Sequence, residues 1–550
     1  MQSTFRLSFL AVISILLFAS CKKTNKQGRY IPQNAAMVMH INGKSISDKL
    51  PWEEIRKQTY FQALSSDTSI STFMKSVLDN PENTGIDINN DMMVFMVKDS
   101  TGSYIALQGT VKDKAKFAQL QSQAHPGGTT SENSGLNFYS NAKTGTGWNG
   151  DKFVIVTDMP EMDMMKNFPA MPDSSGNIAP PPPAPSVSRD MIGSAKNILL
   201  LKEDASMANN EKFSDMVSTN GDIHLWLNAE QLNANNPMIG AMAMVNFSKL
   251  FEGSIMTAAV NFDAGKIVMD AKSYAGKEMT EIFKKYSGSS ANMDMVKRIP
   301  AQNIAAVFAM NFKPEGIKEF LKLIGMDGLI NMGSAYLGFN LDDFIKANKG
   351  DILFSVGNVT KDSVGKPGAQ FLFSASIGNK EAFNKLIAAG KKMGQEKMGG
   401  AMPSVFYNLN ENLFAIGNNK EAVNQYINKE NNSNPPFLSS ISGSPIVGYV
   451  NFQYIMSSLR NDNFKDSFGL ASLDASLKIW DNMVVKGGEI KGDAATQHVE
   501  INLVNKTDNS LKQLNEYAGV MSGIMNSRKK QQEAFWNHSD TTVAIAPVVK

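Results

Sequence analysis

A chain of 550 residues with 42% apolar and 19% charged side chains is long enough for roughly two to four globular domains. The formal charge is +2, with lysine and arginine scattered along the chain and no basic stripe, which argues against nucleic acid as a partner. A single cysteine excludes a disulfide framework and any site built from several thiolates.

The chain opens with Arg6 and an apolar run from Leu7 to Phe18, about 12 residues, where spanning a bilayer takes about 20. Ala19 and Ser20 precede Cys21, and Lys22 and Lys23 follow it. This arrangement resembles the lipobox of bacterial lipoproteins, with Phe18 in place of the usual branched aliphatic residue. The bland reading is an ordinary secretory signal with Cys21 as a bystander. A lone thiol at the cleavage point favours lipidation: residues 1–20 are removed and Cys21 takes the lipid. No later segment has 18 consecutive apolar residues, so the expected attachment is an anchor and not a span. The stretch after Cys21 carries no acidic residue, and the expected place is the outer membrane, on its periplasmic face.

Beyond a short tether (21–29) the chain reads as a long internal duplication. Ile31-Pro32-Gln33-Asn34 leads into an apolar strand ending at Asn42 and Lys44, and Ile299-Pro300-Ala301-Gln302-Asn303 leads into one ending at Asn311 and Lys313. The strand Met92–Lys98 parallels Ile352–Gly357, and Phe138-Tyr139 before Phe153–Thr157 parallels Phe406-Tyr407 before Leu413–Gly417. A second motif, Asp222–Asn228, recurs as Pro445–Asn451, and each copy precedes a long hairpin, Ile255–Tyr274 or Met483–Asn505. The expected order is unit A1 (30–168), a proline-rich linker (169–186) containing Pro180–Pro183, unit B1 (187–295), unit A2 (296–433), unit B2 (434–526) and a polar tail (527–550). Alternating strands such as Gln370–Ile377, joined by short turns, predict an α+β fold of duplicated antiparallel sheets with helices packed on one face.

The lipobox, the Ile-Pro-x-x-Ala-x-x-Val entry at 31–38 and the Gly-Asp-strand at 350–356 resemble a family of Bacteroidetes lipoproteins grouped as domain of unknown function 4836. The resemblance covers most of the mature chain. It implies a lipid-anchored envelope protein and brings no catalytic residues.

Several motifs suggest chemistry and are better read as structure. Gly145-Thr146-Gly147-Trp148-Asn149-Gly150 matches G-x-G-x-x-G, but a strand follows it where a dinucleotide site needs a helix, so it reads as a hairpin turn. Asp87-Ile88-Asn89-Asn90-Asp91 opens like a calcium loop but has Met92 at the glycine position and Lys98 at the twelfth. His40, His125, His224, His498 and His538 are far apart, with His40 and His224 each in the first strand of its unit. Ser140/Lys143 and Ser363/Lys366 have Ser-x-x-Lys spacing in predicted turns. Met159, Met162, Met164, Met165 and Met171 have the softness for Cu(I), yet methionine substitutes for Leu and Ile throughout, as at Met238, Met242, Met244, Met256, Met293 and Met295. Asp99-Ser100-Thr101, Asp362-Ser363-Val364 and Asp540-Thr541-Thr542 resemble the acceptor motif for O-glycosylation of exported Bacteroidetes proteins, which would make Ser100, Ser363 and Thr541 acceptors, with turn chemistry as the plainer explanation.

No catalytic, cofactor or metal constellation is legible. Two readings stand: a non-enzymatic binding or scaffold lipoprotein, whose partner is an envelope protein, a glycan or a lipid, and an envelope hydrolase with an unidentified site. What recurs between copies is the apolar pattern with its turns, which favours the first. The run Pro180–Pro183 and the adaptable methionine-rich segments place the expected site, an apolar and shape-tolerant contact, in the groove between the two A-B halves.

Overall fold

The computed structural model describes residues 26–68, 70–99, 102–124, 126–141, 144–159, 189–234, 246–361, 367–397, 405–460 and 466–539. Those residues build one antiparallel sheet of 18 strands. In the first half the strands are β1 (Ala35–Ile41), β2 (Met92–Asp99), β3 (Gly102–Thr110), β4 (Thr129–Asn133), β5 (Leu136–Ser140), β6 (Thr144–Trp148), β7 (Lys152–Met159), β8 (Ile223–Asn228), β9 (Ile255–Asp263) and β10 (Lys266–Tyr274). The second half supplies β11 (Ile304–Asn311), β12 (Asn348–Lys361), β13 (Pro367–Ile377), β14 (Phe406–Leu409), β15 (Leu413–Gly417), β16 (Ile446–Asn451), β17 (Trp480–Lys491) and β18 (Ala494–Leu503).

The pairings run β4-β5-β6-β7-β3-β2-β1-β8-β9-β10 and then, across the midline, β18-β17-β16-β11-β12-β13-β15-β14. Read outward from the midline, both halves repeat one order, so β8 corresponds to β16, β1 to β11, β2 to β12, β3 to β13 and β7 to β15. One expected correspondence needs correcting. By sheet position β14 matches β6, since each pairs with the strand after it, whereas Phe138 and Tyr139 lie in β5, one strand further out. Two aromatics in a row are a common strand signal, so the likeness of the two pairs does not mark equivalent strands.

Each half buries one sheet face under helices. In the first, Val38, Phe95, Val97, Val154, Val156 and Trp226 meet Ala195 and Ile198 of the helix Met191–Leu199, and Phe213 and Met216 of the helix Glu211–Ser218. That second helix starts where the Asn210 side chain accepts from the Phe213 N–H, and its apolar residues 213, 216 and 217 follow the i, i+3, i+4 spacing of one face. In the second half Val307, Ala309, Leu353, Leu372, Val447 and Val484 meet Val296, Val423, Tyr426 and Ile441. Each fully buried large side chain contributes about 1.5–3 kcal/mol. Helices also lie on the opposite face toward each end: Phe117 of Lys114–Ala124 packs on Phe153, and Phe383 of Lys380–Lys397 on Phe414.

The halves join by strand pairing. β10 and β18 form an unbroken ladder from Lys266↔Asn502 to Tyr274↔Ala494. The turn entering β10 is fitted to it: Gly265 has φ +67°, its N–H donates to the Asp508 carbonyl, and a Cβ there would come 2.4 Å from Lys506 Cα.

Candidate functional site

Where β9, β10, β18 and β17 run side by side, the buried helices of the two halves stop short of each other and leave a groove of about 550 Å³. Residues Lys212, Asp215 and Thr219 form one wall, and Ser442, Gly443 and Ser444 the other. The floor takes its chemistry from strand alternation. Asp270, Lys272 and Tyr274 of β10, Thr496 and His498 of β18, and Lys486, Glu489 and Lys491 of β17 line it, and the register sets Asp270, His498 and Lys486 in one cross-strand row.

Several of these groups hold one another. His498 Nδ1 lies 2.7 Å from Asp270 Oδ1 and its Nε2 lies 3.3 Å from Glu500 Oε1, while Lys266 donates to the same Glu500 oxygen at 2.8 Å. Burial works against the Glu500 charge, yet the hydrogen bonds from Lys266 and His498 hold its carboxyl below the ordinary value. Ser444 Oγ donates to Glu489 Oε1 at 2.5 Å, and Lys212 sits 4.5 Å above the Tyr274 ring. Burial raises the Tyr274 phenol, with Asp215 and Asp493 adding to the shift. Among the described residues Lys272, Lys486 and Lys491 have no ion-pair partner. The groove therefore presents ammonium groups without ion-pair partners among the described residues, beside hydroxyls, two engaged acids and the carboxylate of Asp215.

A second polar site lies inside the first half. His40 of β1 and His224 of β8 are directly opposite in the ladder, each 2% exposed, with rings stacked at 5.0 Å and their Nδ1 atoms 2.8 Å apart. Partners assign the protons. His224 Nε2 faces the Thr219 carbonyl at 2.9 Å and so carries one. His224 Nδ1 then accepts, and the shared proton belongs to His40 Nδ1. His40 Nε2 stands 3.3 Å from Asp91 Oδ1, and Asp91 Oδ2 accepts from Gln27 Nε2 at 2.6 Å. Burial, with His40 adding to it, lowers the His224 imidazole; His40 beside it, with Gln27, lowers the Asp91 carboxyl. Nearby, Asp222 is 1% exposed and accepts from Lys49 Nζ at 2.6 Å, Ser45 Oγ at 2.5 Å and the Phe262 N–H at 2.6 Å.

Sequence reasoning found neither constellation as such. It placed His40 and His224 in equivalent first strands as residues flanking a sheet, and the sheet brings them into contact across 184 positions. The available signal for the groove was charge alternating on one face of both long hairpins (Lys266, Asp270 and Lys272; Lys486, Glu489 and Lys491) where the other strands are apolar. Of the predicted sites, Cys21, Ser100, Ser363, Thr541 and the proline-rich linker lie outside the described residues, as do His125, Lys143, Lys366, Met162, Met164, Met165, Met171, Met238, Met242 and Met244. Asp99, before Ser100, is held bidentately by Arg189 at 2.6 and 3.0 Å. Gly145–Trp148 belong to β6, and the turn proper is Asn149–Asp151. The Asp87 carboxylate accepts from Asn89 N–H and Asn90 Nδ2, which is turn chemistry, while Asp91 turns inward to His40. Met295 is buried, whereas Met256 is 37% exposed on the sheet face away from the core.

Fold and site together define a duplicated α+β protein whose halves join into one antiparallel sheet with a polar groove at the junction. The chain belongs to the family Domain of unknown function (DUF4836), whose model matches residues 28–167 and 193–431. No curated protein matches it. Two solved structures, crystal forms I and IV of TP0453, are similar at 10% identity over 46% and 44% of this chain and 81% and 80% of theirs. Their TM-scores of 0.25 and 0.24 are too low to bear on function.

Proposed function

We propose that the protein is a lipid-anchored lipoprotein of the cell envelope, held by Cys21 to the periplasmic face of the outer membrane, and that it binds a ligand at the seam without transforming it. The observation that carries the binding reading is the groove of about 550 Å³ over β9, β10, β18 and β17, a volume in the range of small-molecule sites. It belongs to neither half alone, so joining the halves creates it. Of its acids, Asp270 and Glu489 are engaged by His498 and Ser444, an arrangement suited to holding a shape. The anchoring reading rests on the run Leu7–Phe18, the small residues Ala19 and Ser20, and the lone thiol. Among the described residues no helix is long and apolar enough to cross a membrane.

Intact-mass spectrometry of the membrane fraction tests the anchor. The mature chain is expected to begin at a diacylglyceryl-modified Cys21, and Cys21→Ser is expected to accumulate an unmodified precursor. A wild-type chain beginning elsewhere, without lipid, overturns it.

A further inference from the structure

We infer that the seam groove takes an anionic oligosaccharide, a short chain of sugars bearing carboxylates; this rests on the reading of the seam as the binding site. Charge gives the first half of the argument. The groove's lysines outnumber its acids, with Lys212, Lys272, Lys486 and Lys491 against Asp215, Asp270 and Glu489. Asp270 pairs with His498 and Glu489 accepts from Ser444, Asp215 adds a third carboxylate, and Lys272, Lys486 and Lys491 have no ion-pair partner among the described residues, so the groove holds one more lysine than acid.

Spacing gives the next step. Lys486 and Lys491 are about four strand steps apart once the irregularity in β17 is discounted, or roughly 13 Å at the rise of a strand. Lys272 is two strands away, about 10 Å. Three ammonium groups spread over that area suit charges repeated along an extended ligand better than one compact anion.

The hydroxyls identify what else the ligand carries. Ser444 Oγ donates to Glu489, Ser442 Oγ to the Ser439 carbonyl, Thr496 Oγ1 to the Glu489 carbonyl, and Thr219 Oγ1 to the Asp215 carbonyl. A hydroxyl has one proton to give, so each of these oxygens is left as an acceptor. A ligand matched to the groove therefore brings O–H donors for the serines and threonines and carboxylates for the lysines. A sugar acid has both; a fully ionised pyrophosphate has only the charges.

The test is calorimetric titration of the full chain with tri-galacturonate, with neutral maltotriose and with inorganic pyrophosphate. Tri-galacturonate is expected to bind, to weaken at least tenfold in Lys272→Gln/Lys486→Gln/Lys491→Gln, and to weaken again in 0.5 M salt. Lys272 and Lys491 are exposed, so the triple variant is expected to keep its circular dichroism. Equal or tighter binding of maltotriose or pyrophosphate overturns the inference, as does an absence of binding by all three. A groove-filling variant, Ser444→Trp, separates this failure from failure of the seam reading. Tri-galacturonate binding abolished by Ser444→Trp but indifferent to the lysines sinks the ligand class alone. Binding indifferent to both variants sinks the site as well.

Discussion

The two halves of the sheet hold equivalent places with opposite chemistry. At the crossing of β1 and β8 stand His40 and His224; at the corresponding crossing of β11 and β16 stand Ala309 and Val447, 2% and 0% exposed. The Asn42 N–H donates to the carbonyl of Asp222 in one half, and the Asn311 N–H to that of Pro445 in the other. Around the first crossing two histidines, two aspartates, a serine and a lysine are buried or half-buried; at the second the crossing pair itself is apolar, and the nearby Asp351 is held by Asn311 without reaching it. One topology thus accepts either filling, so folding does not require the polar one. Apolar packing is the cheaper solution for a buried site, because a polar group in the interior needs every partner in place.

The largest expected effect comes from removing the acid at the centre of the polar filling. Asp222→Ala leaves Lys49 and the Phe262 N–H without their acceptor, and is expected to lower unfolding stability by about 3–5 kcal/mol. Pro445→Ala in the other half breaks no such network and is expected to have a much smaller effect. Urea denaturation of the two variants checks the contrast; equal losses would contradict it.

Converting the first crossing into the second sharpens the comparison. His224→Val alone strands the His40 Nδ1 proton and is expected to cost about 1–3 kcal/mol. His40→Ala added to it removes the stranded group, so a double-mutant cycle is expected to give a coupling of about 1–3 kcal/mol. The same variants set the pH dependence. The folded His224 pKa lies below its ordinary value of 6.5, so the stability it contributes is full above that pH and lost as pH falls through the folded value. Asp91 is also lowered, and its contribution is lost only below its ordinary 3.8. Between pH 7 and 5 the wild type is therefore expected to lose stability through His224, and the His40→Ala/His224→Val protein to lose less. Parallel curves would break the argument.

What was legible in the sequence follows the same division. Strand alternation and capping residues act over a few positions, and they were readable. Asn228 and Asn451 each end a strand and cap the helix after it, accepting from Gln231 and Tyr454 N–H, as their matching motifs suggested. Equivalent residues did not always keep equivalent work. Asn42 caps its helix, whereas Asn311 donates to Asp351 and accepts from Ser289. The pairing of β10 with β18 left no local mark, because the choice of neighbour at a sheet edge is decided by tertiary packing and not by either strand's own pattern. The groove and the histidine pair both depend on long-range pairings, which is why their residues were visible singly but not as sites.

Hydrogen–deuterium exchange on the full chain, with and without saturating tri-galacturonate, tests most directly whether the junction of the halves is the working part of the molecule. Slower exchange in 211–219 and 442–444, the two walls of the groove, with no change around His40 and Asp91, is the result expected. Protection confined to a region away from the seam, or none under conditions where calorimetry detects binding, would contradict it.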